Sequence, residues 1–273
     1  MPNTYISVII YINKTNNKET KMGIVALTAL GVGGATAIGA LIGFFFKNPS
    51  HKFNDMILSF AAGIMLAAAV SGLIIPSLEY GEGIWPIVIT AAGIFAGAIC
   101  LSLIDKLVPH LHRMTGIDTE THPDKTARLN KVLLFVIAIA IHNLPEGIAA
   151  GVSFGTGDVT QALTVAGGIA LQNIPEGMVI IAPMLASGMR RGRTLLVALA
   201  TGVVEVVGTF IGYFAVSIST AILPFALAFA GGTMLYVISD EMIPETHHDG
   251  ATGATYSLLT GFVVMLAVDF FLG

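Results

Sequence analysis

The chain has 273 residues, 55% of them hydrophobic and 11% charged, with a formal net charge of −4 and a mean hydropathy of +0.83. Soluble domains carry about 25% charged residues, so this composition excludes an ordinary globular domain and implies an all-α polytopic membrane protein. The small net charge offers nothing to a nucleic acid, and the single cysteine, Cys100, excludes an intrachain disulfide and a Cys-based zinc knuckle.

The chain opens with a tail, residues 1–21. Tyr5 to Ile12 is apolar but too short to cross a bilayer, which takes about 20 residues. Asn13 to Lys21 is polar and lacks the pattern of a signal peptide. Either the start is misassigned and Met22 is the true first residue, or residues 1–21 form a short tail. A single membrane domain over 22–273 follows.

Eight spans are predicted, at about 22–46, 55–79, 84–107, 131–154, 161–186, 194–219, 221–243 and 255–272, each near the length a bilayer requires. The break between the sixth and seventh falls at Leu223-Pro224, where a proline follows Ser/Thr residues. Lys47, Lys52, Lys106, Arg113, Lys125, Arg128, Lys131, Arg190, Arg191 and Arg193 all fall in connections 1–2, 3–4 and 5–6. Connections 2–3, 4–5 and 6–7 hold no Lys or Arg. An excess of basic residues marks the cytoplasmic side, so both termini are predicted outside the cytoplasm. Only Lys14, Lys18 and Lys21, all before Met22, oppose this. The 3–4 connection, 108–130, mixes His110, His112 and His122 with acids. It reads as a solvated cytoplasmic loop or as a weak metal-binding one.

One pattern occurs twice, as His142-Asn143-Leu144-Pro145-Glu146-Gly147 and as Gln172-Asn173-Ile174-Pro175-Glu176-Gly177. Both copies lie in apolar runs, where an ionisable residue is costly and reads as functional. On a helix, i and i+4 share a face. His142 therefore sits one turn from Glu146, and Gln172 one turn from Glu176, with Asn143 and Asn173 on an adjacent face. Pro145 cannot donate to the Ile141 carbonyl, nor Pro175 to that of Leu171, so each helix is expected to carry a loosened turn and a spare carbonyl. At 1.5 Å per residue both motifs lie about 17–22 Å from the face their span enters. They enter from opposite faces. Inverted repeats with interrupted helices and a midplane site form a transporter pattern, here a 3+2+3 arrangement. Glu205, central in the sixth span, adds a third acid at that depth, and no Lys or Arg neutralises any of the three. Imidazole, amide oxygen and carboxylate together suit Zn²⁺, Fe²⁺, Mn²⁺ or Cd²⁺.

Eight spans, H-N-x-P-E-G in the fourth, Q-N-x-P-E-G in the fifth and a glutamate in the sixth resemble the ZIP (Zrt-/Irt-like protein) family of divalent metal transporters. The bacterial GufA-like branch is the nearest match, and Ser239 to His247 resembles that branch too. The resemblance implies a principal transport site of His142, Glu146, Gln172 and Glu176. It implies a second, adjacent site of Asn143, Glu146, Asn173, Glu176 and Glu205, the glutamates bridging two ions. Position 173 is Asn where close relatives can carry Asp, which makes that second site less acidic. Met65 falls where the branch has a methionine near the first site, although a core role suits it better on its own. Glu79 and Asp269 match acids of the outer mouth; Asp240, Glu241, Glu245 and His247 would line the inner exit. The resemblance also implies import of zinc across the inner cell membrane. Spans one, four, five and six would move against two, three, seven and eight, and a homodimer is compatible. The rival reading, a membrane-embedded metal-dependent hydrolase, needs an open metal position and a general base. H-N-L-P-E is not the H-E-x-x-H such enzymes place on a regular helix.

Overall fold

A computed structural model gives the fold and describes residues 18–46, 50–107, 125–247 and 252–272, with the side chains of the fourth helix described from Ile139 onward. Eight long helical elements follow one another. They are α1 (Lys18–Gly43), α2 (His51–Ser77), α3 (Trp85–Leu107), α4 (Lys125–Ser153), α5 (Val159–Ala186), α6 (Arg191–Ile218), α7 (Leu223–Thr246) and α8 (Thr252–Leu272). Among the described residues there is no strand. Seven of the helices are long and apolar enough to cross a membrane; α4 has 29 residues, ample for the same task. The chain is a multi-pass membrane protein.

The connections are built from turn chemistry. Gly157 ends the α4 side of the α4–α5 turn at φ 82°, a left-handed conformation that glycine adopts without a steric cost. Asp158 then caps α5, accepting from the Thr160 and Gln161 amides. The predicted break at Leu223-Pro224 is where α7 starts, with Pro224 in its first turn. Two expectations change. The 108–130 connection is too long, because α4 already begins at Lys125. Asp124, a favoured residue before a helix start, precedes it in the sequence. The histidines at 110, 112 and 122 lie outside the described residues, as do the tail through residue 17 and the chain end at Gly273.

The second change concerns irregular backbone. Pro145 and Pro175 sit within unbroken α-helix. Each removes one donor, but no turn opens; two residues on, Gly147 and Gly177 pack on the backbones of Glu205 and Thr36. The irregular turns lie instead in α2 and α7. Val70–Ile74 and Ile238–Met242 are π turns. Each is followed by an Ile-Pro pair, Ile75-Pro76 and Ile243-Pro244. The proline cannot donate to the carbonyl four residues back. The isoleucine amide reaches five residues back, to Val70 and Ile238. Such π bulges gather at functional positions.

Glycines show how the helices are grouped. Within the set α1, α4, α5 and α6, glycines bring backbones together. Gly33 meets Gly202, Gly39 meets Ile174, Gly151 meets Thr209, and Gly212 meets Ile148. Within the set α2, α3, α7 and α8 the same holds for Gly63 against Leu258, Gly97 against Phe229, Gly232 against Ile94 and Gly261 against Phe60. A Cβ at any of these would overlap a backbone atom. Between the sets, Gly72 and Gly168 face only side chains, chiefly Val165 and Met265. Small residues permit close helix approach, so each set is tightly knit while the seam between them is made of side chains. The main apolar core, with Val32, Met65, Leu73, Ile169, Leu227 and Met234, runs across that seam.

Candidate metal-binding site

Both copies of the repeated motif converge in the first set. Asn143, Glu146, Gln172, Asn173 and Glu205 are buried to 1% exposure or less, while His142 and Glu176 are partly buried. The closing glycine of each motif sets the depth of the contact. Gly147 packs on the backbone of Glu205 in α6, and Gly177 on the backbone of Thr36 in α1. Those two partners are themselves joined, Thr36 Oγ1 donating to Glu205 Oε1 at 2.5 Å. The motif glycines thus hold α4 on α6 and α5 on α1, either side of one hydrogen bond.

The amides complete the arrangement. Asn143 Nδ2 donates to Glu205 Oε1 at 2.6 Å and to the Thr201 carbonyl at 3.3 Å. Asn173 Nδ2 donates to Glu205 Oε2 at 2.5 Å and to the Val32 carbonyl at 3.3 Å. Gln172 Nε2 donates to Glu146 Oε2 and to Asn173 Oδ1, both at 2.6 Å. Three buried oxygens of these motif side chains find no hydrogen-bond partner among the described residues: Asn143 Oδ1, Glu146 Oε1 and Gln172 Oε1. A buried acceptor left unpaired costs about 1–3 kcal/mol, and a cation is what such a set would satisfy. Glu146 also lies within electrostatic range of Glu176 and Glu205. Among the described residues no Lys or Arg forms an ion pair with these acids; the ion pair present is His142 Nε2 with Glu241 Oε1 at 2.8 Å.

That pair spans the seam, joining α4 to the π turn of α7. Glu176 is within electrostatic range of both its members. Glu241, expected along an exit route, therefore touches the site histidine itself. Among the described residues no three His, Cys, Asp and Glu side chains cluster at metal-binding spacing; the convergence is of carboxylates with amides. Met65 is fully buried in the apolar core. Glu79, Asp240, Glu245 and His247 are exposed and Asp269 is partly exposed. Next to Glu79, burial and then the Glu79 charge push the Tyr80 phenol up from its ordinary value. His247 has structural partners. Its Nδ1 lies 2.9 Å from the Ile243 carbonyl, and its Nε2 lies 3.2 Å from Thr255 Oγ1. An apolar cavity of about 430 Å³ between α2, α5 and α8 is lined by Phe53, Phe60, Leu171 and Pro175 and presents almost no polar atoms. It is not a path for an ion.

Sequence reasoning missed Thr36, which sits among the glycines of α1, and missed the amide polarity that fixes which atoms face the site. The signal for the two π turns was present, as Ser-x-x-x-Ile-Pro at Ser71 and again at Ser239.

The family description "ZIP Zinc transporter" matches residues 112–269. The chain is 41% identical over 258 residues to Zinc transporter GufA of Myxococcus xanthus, covering 92% of this chain and all of that protein. It is 38% identical to Zinc transporter ZIPB of Bordetella bronchiseptica, over 95% of this chain and 84% of that protein. It is 32% identical to Zinc transporter ZupT of Chlorobaculum parvum, over 90% and 96%. These relatives are named as transporters, which sets the hydrolase reading aside. On the combined strength of the family match and these relatives, the chain belongs to the ZIP family.

Proposed function

We propose that this chain carries Zn²⁺ across the inner cell membrane into the cytoplasm through the buried site on α4 and α5. The observation that carries the reading is the trio of buried oxygens that find no partner among the described residues, Asn143 Oδ1, Glu146 Oε1 and Gln172 Oε1, beside carboxylates that pair with no Lys or Arg among those residues. The names of the relatives supply the metal. The mixed oxygen and imidazole donors would also accept Cd²⁺, Fe²⁺ and Mn²⁺.

The ion exchanges its water for His142, Glu146, Gln172 and Glu176. To reach His142 Nε2 it must displace Glu241. A second ion at Asn143, Glu146, Asn173, Glu176 and Glu205 would compete with the Thr36, Asn143 and Asn173 donors on Glu205. The glycine-knit set α1, α4, α5 and α6 moves as one body against α2, α3, α7 and α8. The side-chain seam at Val165 and Met265 supports this, since it lacks the backbone interlocks found within each set. Entry past Glu79 and Asp269 and exit past Asp240, Glu245 and His247 follow from the basic connections being cytoplasmic. That orientation also puts both termini outside. A second copy of the chain is a compatible partner in the bilayer.

Zn²⁺ uptake into proteoliposomes loaded with a zinc-sensitive dye tests the reading. The native protein is expected to conduct, and Glu176→Ala and His142→Ala are expected to abolish uptake. Native protein that binds Zn²⁺ tightly without conducting it would refute transport. Unchanged uptake in both variants would refute the route.

A further inference from the structure

We infer that the apolar groove between α2, α5 and α8 holds an acyl chain of an anionic phospholipid whose phosphate meets Lys52. The site is separate from the metal-binding residues, and the inference stands apart from the transport reading.

The groove has the size and chemistry of a chain slot. Its volume of about 430 Å³ falls within the ~300–1,000 Å³ of ligand pockets. Ile57 and Phe60 of α2 form one wall, and Leu171, Ile174 and Met178 of α5 form the other. Ser257 of α8 brings a hydroxyl, but Oγ already donates to the Met56 carbonyl at 2.6 Å. Nothing in the slot is left to hold water, and apolar cavities stay dry. Phe53 and Met56, 38% and 39% exposed, form its mouth. In a multi-pass membrane protein that mouth opens on hydrocarbon, and an unfilled slot forfeits dispersion contacts along both walls. From Phe53 to Phe60 α2 rises about 10 Å. The wall thus covers most of the ~15 Å that one leaflet contributes to a core about 30 Å thick. A second crevice shares Phe53, Ile57 and Met178 and continues to Gly43 of α1, so the slot follows the seam between the two helix sets.

The mouth selects the headgroup. Lys52 lies in the first turn of α2. A Cβ built on Gly253, at the start of α8, would stand 3.9 Å from Lys52 Cε and 3.7 Å from Met56 Sδ. The lysine stem therefore lies beside Met56 at the α2–α8 lip. Lys52 is exposed and, among the described residues, forms no ion pair. An ammonium at the mouth of an apolar slot complements a lipid with net negative charge, and a zwitterionic lipid gains less. On the orientation proposed above this end faces the cytoplasm, where basic segments meet anionic lipid. A chain lodged there touches both helix sets, and its tip packs on Leu171 and Pro175, on the turn that carries Gln172 and Glu176.

Native mass spectrometry of the full chain in detergent, titrated with dioleoyl phosphatidylglycerol or dioleoyl phosphatidylcholine, reads lipid binding directly. The native chain is expected to bind phosphatidylglycerol more tightly. Lys52→Gln keeps the stem and removes the charge. A basic residue near the membrane surface contributes about 1 kcal/mol, so phosphatidylglycerol affinity is expected to fall about fivefold, with phosphatidylcholine binding unchanged. Ile57→Trp fills the slot and is expected to lower occupancy by both lipids. Arg193→Gln, an exposed position of α6 outside the groove lining, is expected to change neither.

Native phosphatidylglycerol affinity in Lys52→Gln would overturn the inference. So would equal losses in Lys52→Gln and Arg193→Gln, which would reduce the effect to general surface charge. A folded Ile57→Trp chain that binds both lipids as the native chain does would also overturn it. If that variant instead shifts from dimer to monomer with lipid binding intact, the groove belongs to a second copy. Where Ile57→Trp fails to fold, Lys52→Gln decides alone. None of these outcomes reads Zn²⁺ uptake, so failure of the transport reading leaves them untouched.

Discussion

Gly147→Ala is the sharpest test of how packing creates the site. A Cβ built on Gly147 stands 2.9 Å from both the Cα and the carbonyl carbon of Glu205, with the carbonyl oxygen closer still. Carbon atoms rest at about 3.5–4.0 Å, so α4 and α6 must part by about an ångström. Asn143 lies one turn from Gly147 on the same helix. Its 2.6 Å hydrogen bond to Glu205 would stretch to about 3.6 Å, which is no longer a hydrogen bond. Overpacking costs about 1–3 kcal/mol, and the lost hydrogen bond about 1 kcal/mol more. The helix-propensity gain of alanine over glycine returns only about 1 kcal/mol. Gly34→Ala is the control: a Cβ there meets nothing within 4 Å. Thermal unfolding of both variants in detergent, with and without Zn²⁺, measures the contrast. Gly147→Ala is expected to lose stability and Zn²⁺ binding together, while Gly34→Ala melts at or slightly above the native temperature. A Gly147→Ala protein that melts and binds like the native chain would refute the reasoning.

Protons compete with a metal for imidazole and carboxylate ligands, so Zn²⁺ affinity should fall steadily as pH is lowered from about 8 to about 5. Dialysis at fixed Zn²⁺ that gives a flat profile would contradict His142 and the glutamates as ligands. The His142–Glu241 pair must open for an ion to take His142. At its partial exposure the bond is worth about 1.5 kcal/mol, so Glu241→Gln is expected to tighten Zn²⁺ binding by up to about tenfold and to slow uptake; weaker binding would instead make Glu241 a ligand. His247→Ala removes a tie between the end of α7 and α8 and should cost about 1 kcal/mol of stability with Zn²⁺ affinity unchanged. A large fall in uptake at native stability would return His247 to the exit route.

The spans were legible because each is a long apolar run with a turn signal at its end, as at Leu223-Pro224. The site was legible because polar residues at helical spacing in such runs are too costly to persist without a role. Spacing alone brought out His142, Glu146, Gln172 and Glu176 as candidates, and the resemblance grouped them as one transport site. What could not be read depends on contacts between distant segments. Thr36 is one hydroxyl among glycines until Gly177 is seen to seat α5 on its backbone. Glu241 was expected among the acids of the inner exit, because nothing local shows that a residue of this π turn lies 2.8 Å from His142. The prolines misled for the same reason. Pro145 and Pro175 remove donors as covalent structure requires, yet their helices stay regular. At Pro76 and Pro244 the ladder slipped instead. The local rule for proline does not choose between these outcomes.

The central claim is that the cargo rests among the α4 and α5 side chains at the depth of both motifs. Anomalous diffraction at the zinc edge from crystals soaked in Zn²⁺ tests this most directly. The expected result is a peak within bonding distance of His142, Glu146, Gln172 and Glu176, with the His142–Glu241 pair opened. A peak confined to the exposed acids Glu79, Asp240 or Glu245, with the buried hydrogen bonds unchanged, would contradict it.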